Sequence, residues 1–137
     1  MPRSPFGLLT EFFRALNDIG EIRLQEATER LRAMEANVLK RGASTHREGI
    51  LEMQRDSIRI ARDMSYKRTA MLELVRERPA LLSVEEFDRF NHQIHRYAAL
   101  VEDAQEYAEQ CQFLLEELRA QVEEETTEIF TPLRCSR

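Results

Sequence analysis

The sequence predicts an all-α protein, an elongated antiparallel three-helix bundle packed as a coiled coil, and three observations carry that prediction. Only four Gly and four Pro occur among 137 residues, of which 33% are charged. That is the composition of long helices rather than of sheets with many turns. Apolar residues recur at alternating three- and four-residue steps through most of the chain, the spacing that holds one face of a helix toward its neighbours. Breakers interrupt the pattern around Gly42 and around Pro79, dividing it into three. One domain over about residues 1–131, with helices at about 5–40, 46–78 and 84–130 and a short tail at 132–137, accounts for the whole length.

The first helix opens at Ser4-Pro5, since Ser is a favoured N-cap and Pro is tolerated in a first turn. Leu9, Phe12, Leu16 and Ile19 follow at 3-4-3 spacing, and Leu24, Ala27, Leu31, Met34 and Val38 at 3-4-3-4. The two sets fall out of step by one residue between Asn17 and Gly20. Either one helix absorbs the skip, or a short helix ends at Gly20 and a fourth helix is added to the bundle.

Lys40-Arg41-Gly42 places cations in a last turn with Gly just beyond, and Thr45 with Glu48 three residues later has the form of a capping box. The second helix carries Ile50, Met53, Ile60, Met64, Met71 and Leu74 on a 3-4 seam flanked by Leu51, Ile58, Ala61, Leu72 and Val75. Such a wide apolar face predicts burial against two neighbours. Pro79 ends the helix.

Ser83 and Glu86 cap the third helix, which bears the strongest pattern in the chain. Phe87, Phe90, Ile94, Tyr97, Val101, Ala104, Ala108, Cys111, Leu115, Leu118, Val122, Glu125 and Ile129 keep strict 3-4 spacing, with Glu125 the one polar member. The small residues Ala104, Ala108 and Cys111 allow a neighbouring backbone to come close. Pro132 is expected to close the helix. Several families share this plan, among them small three-helix tubulin-binding cofactors and the coiled-coil chaperones and stalk proteins of type III and flagellar export. The likeness is one of architecture, without a shared motif.

Net charge is −5, and 13 of the 25 acidic residues lie between 84 and 130 against three basic ones. That balance speaks against nucleic-acid binding, which needs a concentrated basic surface. No apolar run approaches the ~18 residues that span a bilayer, and two cysteines without paired spacing point to a reducing compartment. A cytoplasmic protein with no integral membrane segment and no cofactor is therefore expected.

The third helix is longer than the other two, so residues 116–130 are expected to project past the Gly42 turn and to display Leu118, Val122, Ile129 and Phe130 beside Glu123 and Glu124. An exposed apolar stripe of that kind marks a binding surface for another protein or a second copy. A second candidate is the chain start, where Leu9, Phe12, Phe13 and Leu16 could anchor an amphipathic helix in a groove, or could complete the protein's own core.

Chemistry is sparse. Asp88, His92 and His95 sit at helical spacing that could reach one metal ion, but no second helix offers a matching Glu-x-x-His pair. Cys111 lies on the packing seam and Cys135 in the tail, neither beside a base, and no Gly-rich phosphate loop occurs. The expected function is that of a non-enzymatic assembly subunit, adaptor or small chaperone, with a metal-binding or enzymatic bundle at Asp88, His92 and His95 as the alternative.

Overall fold

A computed structural model describes the backbone of residues 5–77 and 83–135 and the side chains of 5–77 and 83–124. Among these residues there are three long helices, α1 (Pro5–Arg41), α2 (Arg47–Arg76) and α3 (Val84–Cys135), with one 3-10 turn at Ser44–His46 and no strand. The all-α bundle is as the sequence predicts. At ~1.5 Å per residue the helices are about 55, 45 and 78 Å long.

Helix α1 is continuous through Gly20. Its core-facing line runs Phe13, Asn17, Gly20, Leu24, Ala27, Leu31, Met34, Val38, an unbroken 4-3-4-3-4-3-4 series in which all but the half-buried Met34 are buried. The skip read from the apolar residues dissolves because two seam positions, Asn17 and Gly20, are not apolar. Gly20 is there for closeness. A Cβ at this position would lie 3.1 Å from Leu100 Cδ1 and 3.5 Å from Met64 Cε.

The turn into α2 follows Gly42, whose φ of 85° is left-handed and suits a residue without a Cβ. Its N–H donates to Val38 O at 2.8 Å. The expected capping box does not form. The Thr45 hydroxyl turns back to donate to Gly42 O at 2.9 Å, and α2 starts after His46 with no side-chain cap. Ser83 caps as expected, its Oγ accepting from the Glu86 N–H at 3.1 Å. Pro132 does not close α3, which continues to Cys135.

Short connections make α2 antiparallel to both neighbours. α1 runs alongside α3 in a nearly constant register, with Asn17 meeting Gln93 and Ala43 meeting Gln121. The layout is asymmetric. α2 and α1 each pack on α3 and scarcely touch one another, which corrects the expectation that the wide face of α2 lies against two helices. Accordingly only Ile50, Ser57, Ile60, Met64 and Met71 are buried on α2, while Ile58, Leu72 and Leu74 stay exposed.

The core of α3 is correspondingly two-sided. Phe90, Ile94, Tyr97, Val101, Ala104, Cys111, Leu115 and Leu118 are all buried, as the 3-4 seam requires, and so are Gln93, Leu100, Tyr107 and Leu114. This second series repeats every seven residues and widens the stripe so that two helices can pack on one. Replacing Gly20 by Val should push α1 off Leu100 and Met64 and cost about 1–3 kcal/mol, read as a lowered midpoint in thermal melts followed by circular dichroism. An unchanged midpoint would show that α1 does not approach this closely.

Candidate functional site

The residues expected to act divide cleanly by burial. Leu118 is 4% exposed and belongs to the core, correcting the expectation that it is displayed. The reason is register. The backbone N–H of Ala43 donates to Gln121 Oε1, so the Gly42 turn sits level with residue 121 rather than 115, and α3 extends past it only from about Val122. Val122 is 39% exposed, and Glu123 and Glu124 are exposed beside it. The side chains of Ile129 and Phe130 lie outside the described residues.

At the chain start, Phe13 is buried against Phe90 with ring centroids 5.1 Å apart, and Leu9 and Leu16 pack half-buried on the core. Of the four N-terminal candidates only Phe12 faces outward, 57% exposed. Asp88, His92 and His95 are exposed on the first turns of α3, and His95 shares a 3.3 Å contact with Asn91 rather than with the other two. Among the described residues no group of three His, Cys, Asp or Glu is placed to hold a metal ion.

Buried polar groups form layers in the core rather than a reactive centre. Asn17, fully buried, donates through Nδ2 to Phe13 O, Gln93 O and Gln93 Oε1, each at 3.1 Å, and leaves its own Oδ1 without a partner. Farther along, Gln54 Nε2 donates to Gln112 Oε1 at 2.7 Å, next to buried Ser57. The Cys111 thiol and Tyr107 phenol are held protonated, both pushed up chiefly by burial. Tyr97 is likewise raised to about 12 by burial. These groups are poor nucleophiles or bases near neutral pH.

The charged surface ties helices together at two places. Arg96 on α3 donates to Asp18 at 2.7 Å and to Glu21 at 2.9 Å on α1. Asp63 on α2 accepts from Lys67 at 3.0 Å and from Arg23 of α1 at 3.1 Å, a link across the α1/α2 cleft. Along α3 acid prevails. A groove of about 450 Å³ between α1 and α3 is lined by Glu21, Glu29, Asp103 and Glu106 around Thr28 and Tyr107, with Arg32 at its edge. Such a surface concentrates cations by its field, without an inner-sphere cage.

The family model of CorA-like Mg2+ transporter proteins matches residues 1–133, a span that takes in all three helices. The chain belongs to that family. Comparisons with curated proteins and with solved structures give no match. Membership in the CorA-like family corrects the functional reading of the sequence. A family of ion transporters works at a membrane, which overturns the expected adaptor, assembly subunit or chaperone, its cytoplasmic location and its lack of an integral membrane segment. Among the described residues of this CorA-like chain, no helix is long and apolar enough to cross a membrane. Helical periodicity reports packing and carried no sign of transport.

Two outcomes follow from this geometry. Leu118→Ala should cost about 2–4 kcal/mol in chemical denaturation because it opens a cavity, whereas Val122→Ser should stay within about 1 kcal/mol; equal effects would place both residues on one surface. Asp63 is held below the usual carboxylate value, first by its hydrogen bond from Lys67. Its contribution is therefore complete above the unfolded carboxyl value near 4 and is lost as the pH falls through the lower folded value. Asp63→Asn should flatten the acid limb of a stability-versus-pH curve, with about 0.5 kcal/mol at stake for so exposed a pair. An acid limb identical to that of the parent would remove Asp63 from this role.

Proposed function

We propose that this chain serves Mg2+ transport as a non-enzymatic helical module built on a single bundled domain. The observation that carries the reading is the family match over residues 1–133, which covers the bundle as a whole rather than one helix of it. The electrostatics support it. α3 exposes Glu102, Asp103, Glu106, Glu109, Glu116 and Glu117 along its outer side. Mg2+ gives up its water reluctantly and is usually held by one or two carboxylates through a retained hydration shell. A dispersed acidic face gathers such hydrated ions and lets them go, which suits passage better than storage. Val122, Glu123 and Glu124, where α3 leaves the other helices behind, are the residues proposed to meet the rest of the transport machinery.

The test is Mg2+ influx, read with an intracellular Mg2+ dye, in a bacterial strain deprived of its own Mg2+ uptake systems and expressing this chain. Expression should restore growth at limiting Mg2+ and raise influx. The combined change of Glu102→Gln, Asp103→Asn and Glu106→Gln should lower influx by a few fold at low ionic strength and much less at high salt, as screening predicts. Protein that accumulates in the cell yet restores neither growth nor influx contradicts the reading.

A further inference from the structure

Helix α2 packs on α3 through Ile50, Ile60, Met64 and Met71, and its opposite side faces away from the rest of the bundle. That side carries Arg55, Ile58, Arg59, Arg62 and Tyr66, all exposed. At ~100° per residue the five fall in a band about 100° wide. They form one ridge, about 16 Å from end to end. Ile58 and Tyr66 stand 44% and 71% open to solvent, and a shallow hollow of about 350 Å³ runs among these side chains, with Asp63 also lining it. In a chain of net charge −5, this is a basic surface with apolar and aromatic members of its own.

The cations of this ridge are available to a ligand. Among the described residues no ion pair holds Arg55 or Arg62, and Arg59 reaches only Asp56, at 3.9 Å, with its own side chain 76% exposed. Asp63 does not offset them, because Lys67 and Arg23 already share its carboxylate. Between Glu52 and Glu73, α2 therefore presents Arg55, Arg59 and Arg62 outward without an acid among them.

We propose that this ridge lays the bundle against the surface of an anionic phospholipid bilayer, the three guanidinium groups pairing with headgroup phosphates while Ile58 and Tyr66 settle at headgroup depth. The inference goes beyond the proposed transport role and does not depend on it. Charge complementarity selects this occupant. The guanidinium fork binds phosphate oxygens two at a time, an anionic leaflet offers many phosphates in one plane, and Tyr is at home at a membrane–water boundary. A nucleic acid fits less well. One Tyr makes no stacking platform, and a strand longer than the ridge would run onto exposed Glu48 at one end and Glu73 at the other. Contact through the outer side of α2 also keeps the acidic helix α3 behind it, away from lipid of the same sign.

Co-sedimentation of the full chain with vesicles of phosphatidylcholine alone, and of phosphatidylcholine mixed with phosphatidylglycerol, tests this. The chain should bind the mixed vesicles only, and less as salt rises. Arg55→Gln, Arg59→Gln and Arg62→Gln together should weaken binding about 100-fold, at about 5-fold for each. Arg32→Gln, Arg89→Gln and Arg119→Gln remove the same charge from other exposed positions and should change it less than about 3-fold. The chain has no Trp, so Tyr66→Trp adds a single fluorescent reporter. Its emission should shift to the blue on the mixed vesicles, whereas that of Phe113→Trp on α3, where Phe113 is 75% exposed, should not. This arm also decides the matter if the triple variant of the ridge unfolds. Equal binding to both kinds of vesicle, equal loss with either Arg triple, or a blue shift at position 113 rather than 66 would each overturn the proposal. So would failure to bind the mixed vesicles, whether or not polyglutamate or single-stranded DNA is bound instead.

Discussion

The structure depends on α3 being wide enough to be packed from two sides at once. α1 and α2 lean on α3 and hardly on one another, so most of the apolar contacts that give the bundle a core are made on one helix. The 3-4 seam from Phe90 to Leu118 would serve one neighbour well. The additional heptad series Gln93, Leu100, Tyr107 and Leu114, all buried, is what admits the second. Burial of large side chains such as Tyr97, Leu31, Ile50, Met64 and Met71, each under 2% exposed, supplies the main favourable term, and each contributes on the order of 1.5–3 kcal/mol.

The same arrangement leaves α1 and α2 parted along a cleft, and polar groups set the alignment of the helices around it. Arg23 and Lys67 share Asp63 across the gap. Asn17 and Gln93 form a buried layer between α1 and α3 at some cost, since Asn17 Oδ1 goes unpartnered. Buried amides of this kind favour one register over its neighbours, because a slipped helix would bury the same groups with no partners at all. A constant α1–α3 register in turn puts the Gly42 turn beside Gln121, and so determines where α3 runs past that turn. Fold and register are thus one chain of consequences.

Much of this was legible in the sequence, for physical reasons that also explain the failures. Three helices, the Gly42 turn and the Ser83 cap follow from local chemistry, which does not depend on what lies far away. The α1 skip misled because a seam was sought among apolar residues, while close packing against Leu100 and Met64 demanded Gly20 and the register demanded Asn17. Leu118 was misplaced because helix lengths alone do not fix how far one helix slides along another; the Ala43–Gln121 hydrogen bond does. The two apolar series of α1 overlap in sequence and separate only in three dimensions, so Phe12 and Phe13, adjacent in the chain, go to opposite faces. Transport was illegible because periodicity and caps are shared by every long bundle, whatever it does.

α3 is thus the shared core element, and α1 and α2 are held through it. Native-state hydrogen exchange of the full chain, resolved to individual amides, tests this most directly. The slowest-exchanging amides should cluster in α3 between residues 93 and 118, with those of α1 and α2 opening at lower free energy and independently of one another. If α3 exchanges as fast as the flanking helices, or if α1 and α2 open together while α3 exchanges separately, then the bundle is not organised around α3.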